Sequence, residues 1–335
     1  MATKMKETVD QKTINGEPDD LPVLHVSPSP HIGNTSTTTR RMMLDVLIAL
    51  APAVAFAIYI FGQYALVQLG LCVSTCLVAE FLFVRMRGKS ISLGDFSAAV
   101  TGIILALSMP ATAPWYASVI ASVTAIGLGK IIFGGLGMNI FNPAMVGRAF
   151  VMISFAGAMG AGAYESSTGL VDAISQATPM NAFKQAGTLT PISAMFFGLT
   201  NGSLGETSSL ACLLGGIYLC IRRTASWEIP SAMIVTVAVI TAVADLAGGF
   251  GGRLILHHLF GGALLFGAFF IATDPVSSPL TPRGKAIFGA GIGALVMLLR
   301  LFSGYPEGVM FAVLLMNAIT PLINRWTIPR TFGEY

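Results

Sequence analysis

Charge is what this sequence has least of. Only 10% of its 335 residues are Asp, Glu, Lys or Arg, while 54% are hydrophobic. Soluble domains carry about 25% charged residues, and the mean hydropathy here is +0.75. So little charge cannot cover a surface that faces water. An ordinary soluble enzyme, a nucleic-acid binder and a disordered chain are thereby excluded. Cysteine is scarce too, with four in the chain, which rules out a disulfide framework. Cys72 and Cys76 lie one helical turn apart in an apolar run, with no third or fourth metal ligand nearby in sequence. They read as packing residues, as do Cys212 and Cys220. A secretory signal is also missing: residues 1–41 are polar and mixed in charge, with no short apolar core before a cleavage site.

In place of charge there are long apolar runs. They cover about 42–61, 65–84, 96–112, 115–133 and 143–161, then about 208–221, 231–247, 255–272, 286–302 and 306–323. A bilayer core about 30 Å thick takes about 20 helical residues. The expectation is an all-α polytopic membrane protein of about ten transmembrane helices in two inverted five-helix repeats. Its parts would be a disordered cytoplasmic tail at 1–26, a first repeat at 27–161, an outer loop at 162–207, a second repeat at 208–325 and a tail at 326–335. The loop is the longest connection and is rich in Ser, Thr, Gly and Asn. Loops of that length inside a compact domain are usually functional or disordered.

The cations orient the chain. With an even number of spans both termini share one side, and fourteen of the 19 Lys and Arg fall there. Lys184 and Arg253 fall opposite, and Lys130, Arg148 and Arg300 lie within spans. Lys and Arg collect on the cytoplasmic side of membranes, so both termini are expected in the cytoplasm and the loop on the outer face. Two sets of five spans must be inverted, because five is odd. Prolines keep a trace of this. Pro114 follows Met109-Pro110 by four residues, and Pro279 follows Asp274-Pro275 by four. Asn142-Pro143 opens the fifth span and Tyr305-Pro306 the tenth. Inverted repeats place ligands where interrupted helices meet.

The most specific motif lies in the loop: Asp172-Ala173-Ile174-Ser175-Gln176-Ala177-Thr178. It resembles the acceptor motif for covalent flavin attachment, in which FMN is joined to the threonine through a phosphoester. Other segments point the same way. They are Ser27-Pro28-Ser29-Pro30-His31, Thr39-Arg40-Arg41-Met42-Met43, Phe141-Asn142-Pro143-Ala144 with Gly147-Arg148, Thr273-Asp274-Pro275-Val276, and Tyr305-Pro306-Glu307-Gly308. Together they resemble the NqrB/RnfD family. Its RnfD branch belongs to the Rnf ion-translocating ferredoxin:NAD oxidoreductase complex, and its NqrB branch to the sodium-pumping NADH:quinone oxidoreductase. The resemblance is to the RnfD branch. Gln176 departs from the small residue expected there.

That resemblance implies covalent FMN on Thr178, with Asp172, Ser175 and Ala177 completing the motif, and a second, noncovalent flavin such as riboflavin. It implies a membrane subunit in the bacterial inner membrane that relays electrons between ferredoxin and NAD, coupled to Na⁺ or H⁺ movement. Its partners would be other subunits of the complex, among them a second covalent-FMN subunit and iron–sulfur subunits, with a flavin transferase for maturation. An outer loop with small neighbours such as Ala177 would let that transferase reach Thr178. The chain has no Cys cluster for an iron–sulfur centre and no dinucleotide fingerprint of its own. A small-solute transporter without a redox role is the alternative that ten spans in two halves also suit.

Ionisable residues near spans complete the reading. Arg300, Arg148 and Asn142 are candidates for the flavin surroundings, and Asp274 or Glu307 for ion coupling. Asp45, Glu80, Lys130, Arg148 and Asp274 map to the cytoplasmic edge, and Asp245, Arg300 and Glu307 to the outer edge. Lys130 reads as a snorkelling or locally paired cation. His257 and His258 read as interfacial residues, not ligands. The glycines at 134–137 and 248–252 read as turns or close helix contacts, not nucleotide loops.

Overall fold

The computed structural model describes residues 38–88, 93–159, 178–187, 189–200, 202–248, 253–303 and 308–329. Asp172, Ser175, Ala177, Glu307 and the tail at 1–26 lie outside the described residues.

Backbone polar groups have no water to bind in a bilayer core, so an apolar chain satisfies them within helices. Helix α1 spans Thr39–Phe61 and α2 spans Gln63–Met86. They are divided by Gly62, whose φ of +56° suits a residue without Cβ. Helix α3, Ser97–Ser108, stops just before Pro110. Helix α4, Trp115–Ile126, runs on as a π turn over Gly127–Ile131. Helix α5, Pro143–Ser154, is capped by Asn142, whose Oδ1 accepts from the N–H groups of Ala144 and Met145 at 3.1 and 3.3 Å. Three short helices follow: α6, Ala156–Met159, α7, Pro179–Ala186, and α8, Ile192–Phe197. Next come α9, Ser209–Ile221, and α10, Glu228–Gly248. Helix α11, Arg253–Phe260, and helix α12, Leu264–Phe266, flank a bend, and α12 continues as a π turn to Ile271. Helices α13, Pro282–Phe302, and α14, Val309–Thr327, close the chain.

The protein is an all-α polytopic membrane protein. Each apolar run of the sequence holds a helical segment, but among the described residues five helices (α1, α2, α10, α13 and α14) are long and apolar enough to cross a membrane. The pair α11 and α12, bent by 56°, makes a sixth. Helices α3, α5 and α9 have 12, 12 and 13 residues. At 1.5 Å per residue that is about 18–20 Å, well short of a bilayer core.

The same helix pairs pack in each half. Helix α2 meets α3 and α4, and α4 meets α5; likewise α10 meets α11 and α13, and α13 meets α14. Across the halves α1 packs on α9 and α5 on α14. Close approach rests on small residues. A Cβ on Gly215 of α9 would lie 2.0 Å from the Ala49 carbonyl oxygen of α1.

The described part of the 162–207 segment is not a solvated loop. Residues 202–208 are buried. The Leu204 N–H donates to the Met109 carbonyl at 3.2 Å, and the Gly205 N–H to the Leu107 carbonyl at 2.7 Å. The physical reason is the shortness of α3. Its last carbonyls end inside the protein, and irregular backbone at that depth is tolerated where such groups are paired.

Candidate functional site

Two sites stand out, at opposite ends of α9. The first is a cavity of about 790 Å³ where the starts of α1, α3 and α5 meet the ends of α4 and α9 and the turn after α12. Met43, Val100, Ile104, Phe269 and Phe270 supply apolar wall, and Thr101, Lys130, Asn139, Asn142, Thr273 and Asp274 supply polar groups. Such a mixture, mostly apolar with a few placed polar groups, is typical of small-molecule sites. The Asn142 Nδ2 donates to the Ile271 carbonyl at 3.3 Å, fixing the start of α5 to the end of the π turn. The Asn139 Nδ2 donates to the Phe141 carbonyl at 3.0 Å. Gly134, Gly135 and Gly137 before them have positive φ, so that stretch is a turn, as the sequence suggested.

Of the two readings of Lys130, snorkelling or local pairing, the structure shows pairing. The residue is 2% exposed, and its Nζ donates to both Glu80 carboxylate oxygens at 2.8 Å and to Ser97 Oγ at 2.6 Å. Glu80, on α2, is itself 0% exposed. A charge stays ionised at such depth when it is paired and hydrogen-bonded, and the Glu80 carboxylate makes the long route to the surface unnecessary.

Asp274 caps a turn at the rim. Its Oδ1 accepts from the Val276 N–H at 3.2 Å and its Oδ2 from Ser277 Oγ at 3.0 Å. Burial pushes the carboxyl above its ordinary range, and these two hydrogen bonds pull it partly back. Beside the cavity, Asp45 of α1 accepts from Tyr218 Oη, Arg222 and Thr224 at 3.1–3.4 Å, which clasps α1 to the end of α9.

The second site surrounds Thr178. The sequence suggested an accessible loop residue, but Thr178 is 3% exposed. Its carbonyl accepts from the Ala182 N–H at 2.9 Å, so it stands immediately before α7. The adjoining space, about 240 Å³, is bounded by Pro179, Met195, Glu206, Phe260, Gly261 and Gly262. Helix α7 is held down by Met180, 1% exposed, and by Phe183, whose ring lies 5.5 and 6.1 Å from those of His257 and His258. Both histidines are therefore buried, not interfacial, because α7 covers them. Among the described residues no group of three or more His, Cys, Asp or Glu could hold a metal ion.

Arg300 lies behind the Gly261 wall. Its guanidinium donates to the His258 carbonyl at 2.6 Å and the Gly261 carbonyl at 2.8 Å, satisfying the end of α11 at the bend. Arg148 was expected at the same edge as Asp274. Instead it reaches Glu206 and Ser203, at 3.5 Å each, within the inserted segment. The short α5 and the depth of that segment bring them together. Arg148 lines neither space, although its partner Glu206 borders the Thr178 site.

The structure thus groups Asn142 with Asp274, and Thr178 with the surroundings of Arg300. Lys130, Thr101, Asn139 and Phe270 were missed as cavity residues. One signal for Lys130 was legible: it and Glu80, a base and an acid in the fourth and second runs, map to the same membrane edge.

Residues 25–333 match the NQR2, RnfD, RnfE family. The chain belongs to this family. Three of its similar relatives are the D components of ion-translocating complexes. The chain is 40% identical over 314 residues to that of the Na(+)-translocating ferredoxin:NAD(+) oxidoreductase complex of Acetobacterium woodii, covering 92% of this chain and 95% of that one. It is 41% identical over 322 residues to that of the proton-translocating ferredoxin:NAD(+) oxidoreductase complex of Clostridium ljungdahlii, covering 93% and 96%. It is also 41% identical over 326 residues to that of the ion-translocating oxidoreductase complex of Halorhodospira halophila, covering 88% and 91%. In this family setting the two sites lie on one membrane subunit, separated by the length of α9.

Proposed function

We propose that the chain is a membrane subunit of an ion-translocating ferredoxin:NAD oxidoreductase complex and relays electrons through FMN esterified to Thr178. It sits in a bacterial inner membrane with both termini cytoplasmic, as ten helical segments in two inverted repeats. A flavin transferase installs the FMN, with Asp172, Ser175 and Ala177 completing the acceptor motif. A second flavin, riboflavin or a close relative, occupies the cavity at the Lys130 end without a covalent bond. The partners are the other subunits, including a second covalent-FMN subunit and iron–sulfur subunits.

The residues present bear on this reading differently at the two sites. A hydroxyl directly before the N-terminus of α7 suits a phosphoester, since helix N-termini favour phosphate. The cavity at the Lys130 end offers the mixture of apolar wall and placed polar groups that small-molecule sites use. A bound flavin supplies one- and two-electron chemistry, which no side chain provides. Asn139 offers its amide oxygen to a polar ring edge, and Asn142 holds the wall in place through the Ile271 carbonyl. Phe269 and Phe270 keep water from the apolar face.

Coupling is assigned to carboxylates at the membrane edge, Asp274 or Glu307, which attract a cation or exchange a proton. Asp274→Asn and Glu307→Gln should keep flavin content and electron transfer in detergent but lose ion pumping in vesicles. Normal pumping by both variants would move coupling elsewhere in the complex.

The observation that carries the proposal is the Asp172-to-Thr178 motif at the start of α7 in a chain of this family. Mass spectrometry of the peptide containing Thr178 should show the added mass of FMN. An unmodified peptide from the mature complex would refute it.

A further inference from the structure

The cavity wall contains one cation, Lys130, and its setting is unusual for a residue whose only duty is to hold two helices together. Lys130 lines the cavity, while its Nζ is bonded to Glu80 and Ser97. These three residues come from the end of α4, the end of α2 and the start of α3. Asp274 is the other charged group that lines the cavity, and its carboxylate is already engaged by Val276 and Ser277. A ligand that gains negative charge in this cavity therefore lies beside a residue whose ammonium is paired with a carboxylate, Glu80, that does not line the cavity and partly neutralises it.

We infer that Lys130, held by Glu80 and Ser97, is the positioning residue that sets the redox potential of the cavity's flavin. The inference rests on the noncovalent flavin proposed above and says what regulates it. Lys130 stabilises the extra negative charge that one electron leaves on the ring when another one-electron carrier of the complex delivers it without a proton. No bond to Lys130 forms or breaks, and the ammonium keeps its proton. Glu80 acts in the opposite sense, because a carboxylate paired with the ammonium lowers the field that reaches the cavity. The pair would thus act as an opposed couple, with removal of either member shifting the flavin in a predictable direction.

The test uses the purified complex, whose acid-extractable flavin is quantified and whose midpoint potential is then followed spectroscopically. Lys130→Gln should make one-electron reduction of that flavin at least tenfold less favourable, a shift of about 59 mV downward. Glu80→Gln should shift it upward. Lys130→Arg should stay near the wild type. Because Lys130→Gln leaves a buried acid without its ammonium, the double variant Glu80→Gln/Lys130→Gln guards against misfolding and should still titrate below the wild type. If flavin is lost from Lys130→Gln but kept by Lys130→Arg, the potential is read on the double variant, where a wild-type value overturns the inference and a lower one supports it. If flavin is lost from both, Lys130 is merely a packing residue and the inference falls. Wild-type flavin whose potential is the same in every variant overturns the inference and leaves the cavity reading intact. A wild-type complex with no extractable flavin overturns the cavity reading itself.

Discussion

The two ends of this protein are built from helices that pack in the same pairs, yet one end is open and the other is filled. Around Lys130 there is a cavity of about 790 Å³; around Thr178 there is about 240 Å³. The charges correspond as well. Glu80 stands 17 residues after Gln63, the first residue of α2, and Asp245 stands 17 after Glu228, the first residue of α10. Both carboxylates are buried, and buried cations, Lys130 and Arg300, sit near the ends of the neighbouring helices α4 and α13. What differs is the insert between α8 and α9. Its Leu204 and Gly205 pair with the end of α3, and its Glu206 meets Arg148. Helix packing sets where charges stand, and the inserted segment decides which end admits a ligand. The cations answer to that difference. Lys130 lines the cavity and is paired with Glu80, while Arg300 is spent on the carbonyls of His258 and Gly261.

Four substitutions test the contrast, beginning with the largest effect. Thr178→Ala should remove all gel-stable flavin fluorescence from this chain and leave the acid-extractable flavin untouched; fluorescence that survives would place the ester elsewhere. Thr101→Trp fills the cavity and should do the reverse. Extractable flavin should weaken at least tenfold, about 1.4 kcal/mol in binding, while the flavin ester persists on denaturing gels. Arg148→Met removes the cation facing Glu206 at the closed end. Thermal unfolding in detergent should show a loss of about 3 kcal/mol, the scale for breaking a buried ion pair from one side, whereas an unchanged midpoint would mean that the insert is held by its backbone bonds alone. The smallest effect belongs to Asp45→Asn at the open end. Arg222 in that clasp is 38% exposed, so its share is screened by solvent. About 1 kcal/mol or less is expected in the same unfolding assay.

Much of the architecture was legible in the apolar runs, because a chain this poor in charge has few ways to satisfy its backbone except as helices in a membrane. Asn142-Pro143 was correctly read as a helix start, since a capping side chain followed by proline leaves few alternatives. Span lengths were less legible. The run at 143–161 gave no sign that α5 would end at Ser154, because apolar composition does not distinguish a full crossing from a short helix with apolar neighbours. The burial of Thr178 was hidden for a related reason. A segment rich in Ser, Thr, Gly and Asn looks solvated, yet here the N–H groups of Leu204 and Gly205 pair with carbonyls at the buried end of α3. Arg148 was misplaced by the same blind spot, as its partner Glu206 lies 58 residues away in that segment. Lys130 was visible as an ionisable residue in a span, but its direction toward a cavity depends on α2, α3 and α4 meeting at one end.

The central claim is that one chain carries flavin in two different ways, covalently at the filled end and noncovalently at the open end. Acid precipitation of the wild-type chain, purified from its complex and separated from the other subunits under conditions that retain bound flavin, tests it most directly. Flavin in the supernatant and flavin on the precipitated chain would be measured side by side, with the latter mapped by peptide mass. The account predicts equal amounts in the two pools, with the bound share wholly on the peptide containing Thr178. Flavin confined to a single pool, or bound flavin on any other peptide, would contradict it.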